Sequence, residues 1–319
     1  MTDDPAGPPP EDDPRLGLAW RVAPAAAAFV LRIEESSRNT RDLVDGLLFA
    51  AIQAANVSPI SNDPELQLAY AALPDAPPYE LRRPVSVSAL AHSLRMPFET
   101  ARRRVQTLVR LGALQVTPKG VLVSHVVLGH AEFLTNVFAR HEHLKAFHYE
   151  MKGMGVLPSG APERALRSDA PPVRLTNRLI WEYILRVADG MGQVVGDTTN
   201  GVILLAMIRE NTEGFGPTEL ASWADAPLIL GRPVRNGRLA ARLNFSNETL
   251  RRYVIALERQ GFCARTRLGL LAVAPPAARP ALDRLVLDNL ANLQRLLGRL
   301  RQFGVLTLWD TPDQAAALG

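Results

Sequence analysis

Apolar residues recur at helical spacing in two well-separated stretches of the chain, and the first runs from Arg83 to Val123. There Ala89, Leu90, Leu94, Val105, Leu108 and Leu111 fall where one helical face would be buried, interrupted by Arg95-Met96-Pro97. The pattern predicts a short helix, a turn and a second helix starting near Pro97, whose missing N–H costs nothing at a first helical position. Gly112 ends that helix as a left-handed cap would. Ala113–Val116 and Val121–Val123 read as two short strands around Pro118-Lys119-Gly120. Outside this stretch, helices are expected over 23–35, over 42–56 with Leu43, Leu47, Leu48, Ala51 and Ile52 on one face, over 64–73, and over 128–152, where Gly153 and Gly155 stop a long helix. Residues 157–175 contain Pro and Ser and lack an apolar period, as a linker would.

The second stretch, Arg232 to Ala272, repeats the first at a constant offset of 149 with no gap, and 17 of 41 positions are identical. Among them are Arg83/Arg232, Leu90/Leu239, Glu99/Glu248, Thr100/Thr249, Arg102/Arg251, Arg103/Arg252, Gly112/Gly261 and Gly120/Gly269. Chance does not produce this over an ungapped window. Helix, turn, helix and two-stranded wing is the layout of a winged helix-turn-helix, so two such modules are expected. The similarity continues outside them. Asp42–Asn56 resembles Asp197–Asn211, and Phe29–Ile33 resembles Tyr183–Val187. A helix over 279–303 aligns with the one over 128–152, and Gly155-Val156-Leu157 aligns with Gly304-Val305-Leu306.

The expected fold is therefore mainly α with small β wings, built by internal duplication of a helical segment, a winged helix-turn-helix and a long C-terminal helix. Residues 1–15 read as a disordered acidic tail, 16–157 as the first repeat with its winged module at 83–123, and 158–175 as a linker. Residues 176–306 read as the second repeat with its module at 232–273, and 307–319 as a loose tail. In the last long helix Val286, Leu290, Leu293, Leu297 and Leu300 form a 4-3-4-3 apolar seam suited to helix pairing. The aligned seam, Val137, His141, Leu144, His148 and Met151, reads as weaker and partly exposed. His141-Glu142-His143 lacks the i, i+4 spacing that puts two histidines on one metal.

The net charge of +4 says little until it is placed on the chain. Arg82–Val123 holds eight Arg or Lys against the single acid Glu99, and Arg232–Val273 holds nine against Glu248 and Glu258. Both modules thus carry the positive surface that phosphate binding requires. One cysteine, Cys263, leaves no disulfide framework and no cysteine zinc site, and it reads as a buried structural thiol. The Pro-rich, acidic start is unlike a signal peptide, and the apolar run Val202–Ile208 is far too short to span a bilayer, so a cytoplasmic, nucleoid-associated protein without membrane contact is expected. No dinucleotide, phosphate-loop or nucleophile-elbow motif is found, and acids and histidines do not converge in a short constellation; neither an enzyme nor a cofactor is expected.

Phe98-Glu99-Thr100-Ala101-Arg102-Arg103 and Asn247-Glu248-Thr249-Leu250-Arg251-Arg252 resemble the recognition helix of the Crp/Fnr-type regulators, whose pattern is Arg-Glu-Thr-Val-x-Arg. The resemblance covers the two modules alone, and the broader winged pattern is shared by GntR-, MarR- and IclR-type regulators. It implies that Glu99 and Glu248 accept from cytosine N4, that Arg103 and Arg252 donate to guanine O6 and N7, and that Thr100 and Thr249 touch backbone. Phe98 and Asn247 stand where that family has its first Arg. Helical spacing by itself projects Glu99, Arg102, Arg103 and Gln106 away from Ala101, Val105 and Leu108, and Glu248, Arg251, Arg252 and Ile255 away from Leu250, Val254 and Leu257. Arg104 adds charge to the first helix. Lys119 at one wing, and Arg265 and Arg267 at the other, are placed to meet phosphate.

The function these features imply is a sequence-specific, double-stranded-DNA-binding transcriptional regulator with two reading heads per chain. Either one chain acts as a pseudo-dimer, or two chains form a homodimer through the long helices, with half-sites spaced by about 10 bp or a multiple. The flanking helices leave room for a small-molecule effector but carry no ligand signature. Two other readings use the same modules: a protein-binding scaffold of the chromosome-condensation type, and a plasmid-type replication initiator.

Overall fold

The computed structural model describes residues 13–37, 42–74, 77–159, 170–225 and 231–310. It is mainly helical, with two small antiparallel sheets. The chain begins with α1 (Leu16–Ser37), α2 (Leu43–Asn56), α3 (Ser58–Ser61) and α4 (Pro64–Ala69). Then come α5 (Val87–Ser93), α6 (Phe98–Arg110), β1 (Leu114–Thr117), β2 (Gly120–Val123), α7 (His125–Leu128) and α8 (Ala131–Gly153). The rest comprises α9 (Val173–Val195), α10 (Thr198–Thr212), α11 (Pro217–Asp225), α12 (Asn236–Leu243), α13 (Asn247–Arg259), β3 (Cys263–Arg265), β4 (Leu270–Ala272), α14 (Arg279–Gln302) and α15 (Val305–Asp310). Asp42 and Asp197 start α2 and α10 in the same way, each carboxylate accepting from the backbone N–H three residues on, at 2.9 Å.

Two compact units are formed. One takes its described residues from within Met1–Leu47, Ala91–Thr100 and Arg186–Ala291, the other from within Leu48–Leu90, Ala101–Leu185 and Asn292–Gly319. In the first, α1 packs on α10 and α11. Its Trp20 meets Trp223 edge to face, with centroids 5.6 Å apart, and donates its indole N–H to Asp283 at 2.7 Å. Arg279 lies over the Trp20 ring while pairing with the same carboxylate at 2.8 Å. An ionic cluster fixes α12 nearby. The buried Glu210 carboxylate binds Arg238 at 2.5 Å and Arg242 at 2.8 Å, and Glu35 binds Arg209 and Arg242. The surrounding cations offset the desolvation of a carboxylate this deep.

In the second unit the start of α9 is tied down through its arginines. Arg178 donates to the carbonyls of Tyr70 and Gln67, both at 2.9 Å, and Arg174 donates to that of Leu73 at 2.8 Å. Burial pushes Arg178 down to about 10. The same unit holds a buried polar chain. Trp309 of α15 donates its indole N–H to Nε2 of His141 at 3.4 Å, so His141 carries its proton on Nδ1 and donates to Thr176 Oγ1 at 2.9 Å. Thr176 in turn donates to the carbonyl of Val173 at 3.1 Å. His148 also meets the Trp309 ring, with centroids 5.8 Å apart.

These contacts alter several expectations from sequence. The His141–His148 seam is not partly exposed: both rings are 4% exposed, because Trp309 covers them. The stretch expected as a loose tail from 307 is helical as far as Asp310, held by Trp309, by Tyr149 donating to the Trp309 carbonyl at 2.8 Å and by a Lys152–Asp310 pair at 3.3 Å. Helix α9 starts at Val173, inside the expected linker, because Val173 and Leu175 are fully buried. The long helix expected from 128 starts at Ala131, after the separate turn α7. Helix α1 begins at Leu16, in the expected repeat, but well before 23. Over Leu16–Ser36 it is long and apolar enough to cross a membrane, and more than half of that stretch is buried by protein. The expected acidic tail up to residue 12, most of the linker and residues 311–319 lie outside the described residues.

Burial holds both His141 and His148 below their ordinary 6.5, outweighing the attraction of Glu142 for the first and of Asp310 for the second. The unfolded chain therefore takes up protons before the folded one, and stability falls as pH drops from about 6.5 toward the folded values. Thermal unfolding followed from pH 8 to pH 5 should show this loss, and His148→Leu should flatten it. An unchanged pH profile in that variant would count against the assignment.

Candidate nucleic-acid interface

Each of the two repeated stretches is anchored by one buried asparagine. Asn56, the last residue of α2, donates from Nδ2 to the carbonyls of Arg83 at 2.9 Å and Val121 at 3.1 Å, and its Oδ1 accepts from the backbone N–H of Val123 at 2.8 Å. Asn211 in α10 repeats the three bonds: to Arg232 at 2.8 Å, to Leu270 at 3.1 Å and from Ala272 at 2.8 Å. The chain entering each stretch is also bridged to the hairpin, through Val85↔Val121 and Val234↔Leu270. That approach is so close that a Cβ on Gly120 or Gly269, both at positive φ, would collide with the carbonyl of Val85 or Val234.

Backbone conformation matches between the stretches. Eight of the ten described residues with positive φ fall in pairs 149 apart: Arg95 and Asn244 in the turn between helices, Gly112 and Gly261 after the second helix, Gly120 and Gly269 in the hairpin, Gly155 and Gly304 beyond the long helices. Helix α6 begins at Phe98, one residue later than expected, and the Pro97 carbonyl accepts from Thr100 N–H at 2.9 Å. Helix α13 begins at Asn247, capped by the Ser246 hydroxyl, which accepts from Thr249 N–H at 3.1 Å.

Both helices bury one stripe and expose the other. Ala101, Val105 and Leu108 are buried in α6, and Leu250, Val254 and Leu257 in α13. On the outer side Glu99 and Arg103 are exposed, with Thr100, Arg102 and Arg104 half-buried. On α13, Asn247, Glu248, Arg251 and Arg252 are exposed and Thr249 is half-buried. Lys119 is exposed in the β1–β2 hairpin, as are Arg265 and Arg267 in and after β3. Acid in the first turn of each helix, Glu99 and Glu248, complements the positive end of the helix dipole.

The arginines differ in how they are held. Arg251 grips Glu248 with two bonds, at 3.0 and 3.2 Å, which keeps that carboxyl below the usual carboxylate range. Arg265 grips Glu258 likewise at 3.0 and 3.2 Å, and Arg252 lies over the Tyr253 ring. Between α6 and the β1–β2 hairpin runs a groove of about 740 Å³, walled by Val105, Val109 and Val116 and edged by Arg102, Gln106 and Lys119. At the aligned places of the second stretch, Glu258 stands for Val109 and Arg265 for Val116, and their ion pair spans the corresponding gap. Cys263 sits buried in β3, where burial pushes its thiol up to about 12, leaving it protonated at neutral pH.

The residues singled out in sequence thus lie on two helix faces and two hairpins. Sequence reasoning missed Asn56 and Asn211, although their alignment at the ends of two apolar helices was the available signal. It also missed Glu258 as the partner of Arg265. Among the described residues no cluster of His, Cys, Asp and Glu could hold a metal ion. No family model, curated protein or solved structure matches the chain.

Replacing Asn56 or Asn211 by Ala removes the asparagine partner of one carbonyl (Arg83 or Arg232) and one N–H (Val123 or Ala272), while the carbonyl of Val121 or Leu270 keeps the N–H of Val85 or Val234. Each variant should lose at least about 1–3 kcal/mol in denaturant titrations, with hydrogen exchange accelerated in its own hairpin. Equal exchange in both hairpins of either variant would contradict the local role. Glu258→Gln removes a surface pair, so it should shift unfolding by no more than about 1 kcal/mol. A larger loss would make that pair a structural brace of the second hairpin.

Proposed function

We propose that this chain is a sequence-specific double-stranded-DNA-binding transcriptional regulator, an internally duplicated protein with two winged helix-turn-helix modules reading two half-sites. The observation that carries the reading is the coincidence, in two stretches 149 residues apart, of an outward Glu/Arg helix face with a hairpin latched beside it by the same three asparagine bonds. A helix of about 10–12 Å diameter fits a major groove about 12 Å wide, and its first turns present donors and acceptors to base edges. The identities between the stretches, and their paired left-handed backbone positions, support the duplication.

In this reading α6 and α13 are the recognition helices. Glu99 and Glu248 accept from cytosine N4, while Arg103 and Arg252 donate to guanine. Thr100, Thr249, Arg102, Arg104 and Arg251 meet backbone or flanking groups. Lys119, Arg265 and Arg267 of the wings neutralise phosphates. One chain carries both heads, so a single chain suffices for two half-sites, and the site of action is the nucleoid. Arg251 and Arg265 are already paired with acids, so phosphate must displace a carboxylate at both places.

Arg103→Ala and Arg252→Ala should each cost about 1–3 kcal/mol of binding and relax base choice in one half-site only. Lys119→Ala should weaken all duplexes alike and lower the salt slope by about one. Footprint titrations at several salt concentrations check all three. Wild-type affinity and selectivity in both arginine variants would refute the read-out assignment. Duplex binding that is absent, or indifferent to salt, would refute DNA recognition and favour a protein-binding scaffold.

A further inference from the structure

The two outward helices differ at their first residue, the position from which a recognition helix reaches deepest toward base edges. In α6 it is Phe98, its ring 52% exposed although it is one of the larger apolar side chains of the protein. In α13 it is Asn247, also exposed. Each stands immediately before the glutamate and one helical turn from Arg102 or Arg251, so both occupy the same place relative to the conserved-spacing Glu and Arg of their own helix. Their chemistry is not interchangeable. A phenyl ring offers no hydrogen bond and is matched in the major groove by the thymine 5-methyl group. A carboxamide offers one donor and one acceptor side by side and is matched by adenine N6 and N7.

We propose that the protein's DNA target is directional, formed by two unlike half-sites, with thymine selected by Phe98 in one and adenine selected by Asn247 at the equivalent step of the other. This rests on the DNA-binding reading above. The hairpins differ in the same sense. Val116 and Pro118 in the first correspond to Arg265 and Arg267 in the second, so the flanking backbone contacts are unlike as well. A homodimer of identical heads is bound to read a palindrome, because symmetry gives both half-sites the same reader. A chain whose two readers are encoded separately is free of that constraint, and an asymmetric site fixes which head lies upstream. Exposure at position 98 also explains how the phenyl ring is tolerated: it leaves the buried stripe Ala101, Val105 and Leu108 undisturbed while placing an apolar surface where water must be shed on contact.

The test is selection of the full-length chain against a randomised duplex pool at fixed salt, repeated with Phe98→Asn, Asn247→Phe and the double exchange. The wild type should enrich a non-palindromic sequence, with discrimination for adenine at the Asn247 step of roughly 5- to 150-fold. Phe98→Asn should convert thymine to adenine at its own step and make the two half-sites alike there. Asn247→Phe should do the reverse, and the double exchange should swap the two preferences. All three substitutions are at exposed positions, so their melting curves should overlay that of the wild type. Identical bases at the equivalent steps of the wild-type site, or a thymine preference that survives Phe98→Asn, would overturn the inference while leaving DNA recognition standing. A pool in which nothing is enriched and no salt-dependent binding is seen would overturn the regulator reading and this inference with it.

Discussion

A single buried carboxamide at the end of an apolar helix sets the geometry of each hairpin. A hairpin of two short strands has little stability of its own, and its inner edge is covered by an entering segment only at one bridge, Val85↔Val121 or Val234↔Leu270. Asparagine meets this need because it carries donors and an acceptor on one short stem: it gives to two carbonyls and takes from one N–H. Aspartate would lack the donors, and an apolar residue would strand a carbonyl and an N–H at a cost of about 1–3 kcal/mol each, the second carbonyl keeping the N–H of Val85 or Val234. Since Asn56 and Asn211 are the terminal turns of α2 and α10, the hairpins inherit the rigidity of those helices. Gly120 and Gly269 leave the space that the close approach of the Val85 and Val234 backbone requires.

With the hairpin fixed, the helix beside it has one face committed to the interior and one left to solvent. The charge on the outer face is not idle in the free protein. Arg251 with Glu248 and Arg265 with Glu258 form two-bonded pairs on the surface, where such pairs contribute little to stability. Their consequence is geometric. They hold two guanidinium groups of the second stretch in defined orientations, whereas the first stretch has valines at the places of Glu258 and Arg265 and a groove between them. Under the proposed function, the two heads would approach DNA with differently placed charges and different base preference despite their common backbone.

Elsewhere the protein links several buried polar groups into chains. The sequence Trp309, His141, Thr176, Val173 runs from the indole donor to the carbonyl acceptor in three steps, with His141 and Thr176 each taking once and giving once. Glu210 and Glu35 are embedded among Arg209, Arg238 and Arg242. Such arrangements are sensitive to the loss of one member, because the remaining groups keep their desolvation penalty. They also couple distant parts of the chain, joining α15 to α8 and α9, and α12 to α1 and α10.

Much of the local structure was legible in the residues themselves. Helix periodicity placed α2, α6, α13 and α14 to within a residue or two, and turn glycines marked where the second helices end, because these features depend on neighbours within a few positions. The face that α6 and α13 turn outward followed from the same periodicity. What sequence alone determined, then, was the existence of two similar helix-and-hairpin stretches and the charge they carry outward. Tertiary structure decided what those stretches rest on: that Asn56 and Asn211 serve as latches, that Trp309 folds back over His141 and His148 and orders a supposed tail, and that Glu258 claims Arg265. Each of these joins residues that periodicity cannot relate, since a hydrogen bond or ring contact across many positions leaves no spacing in the chain to betray it.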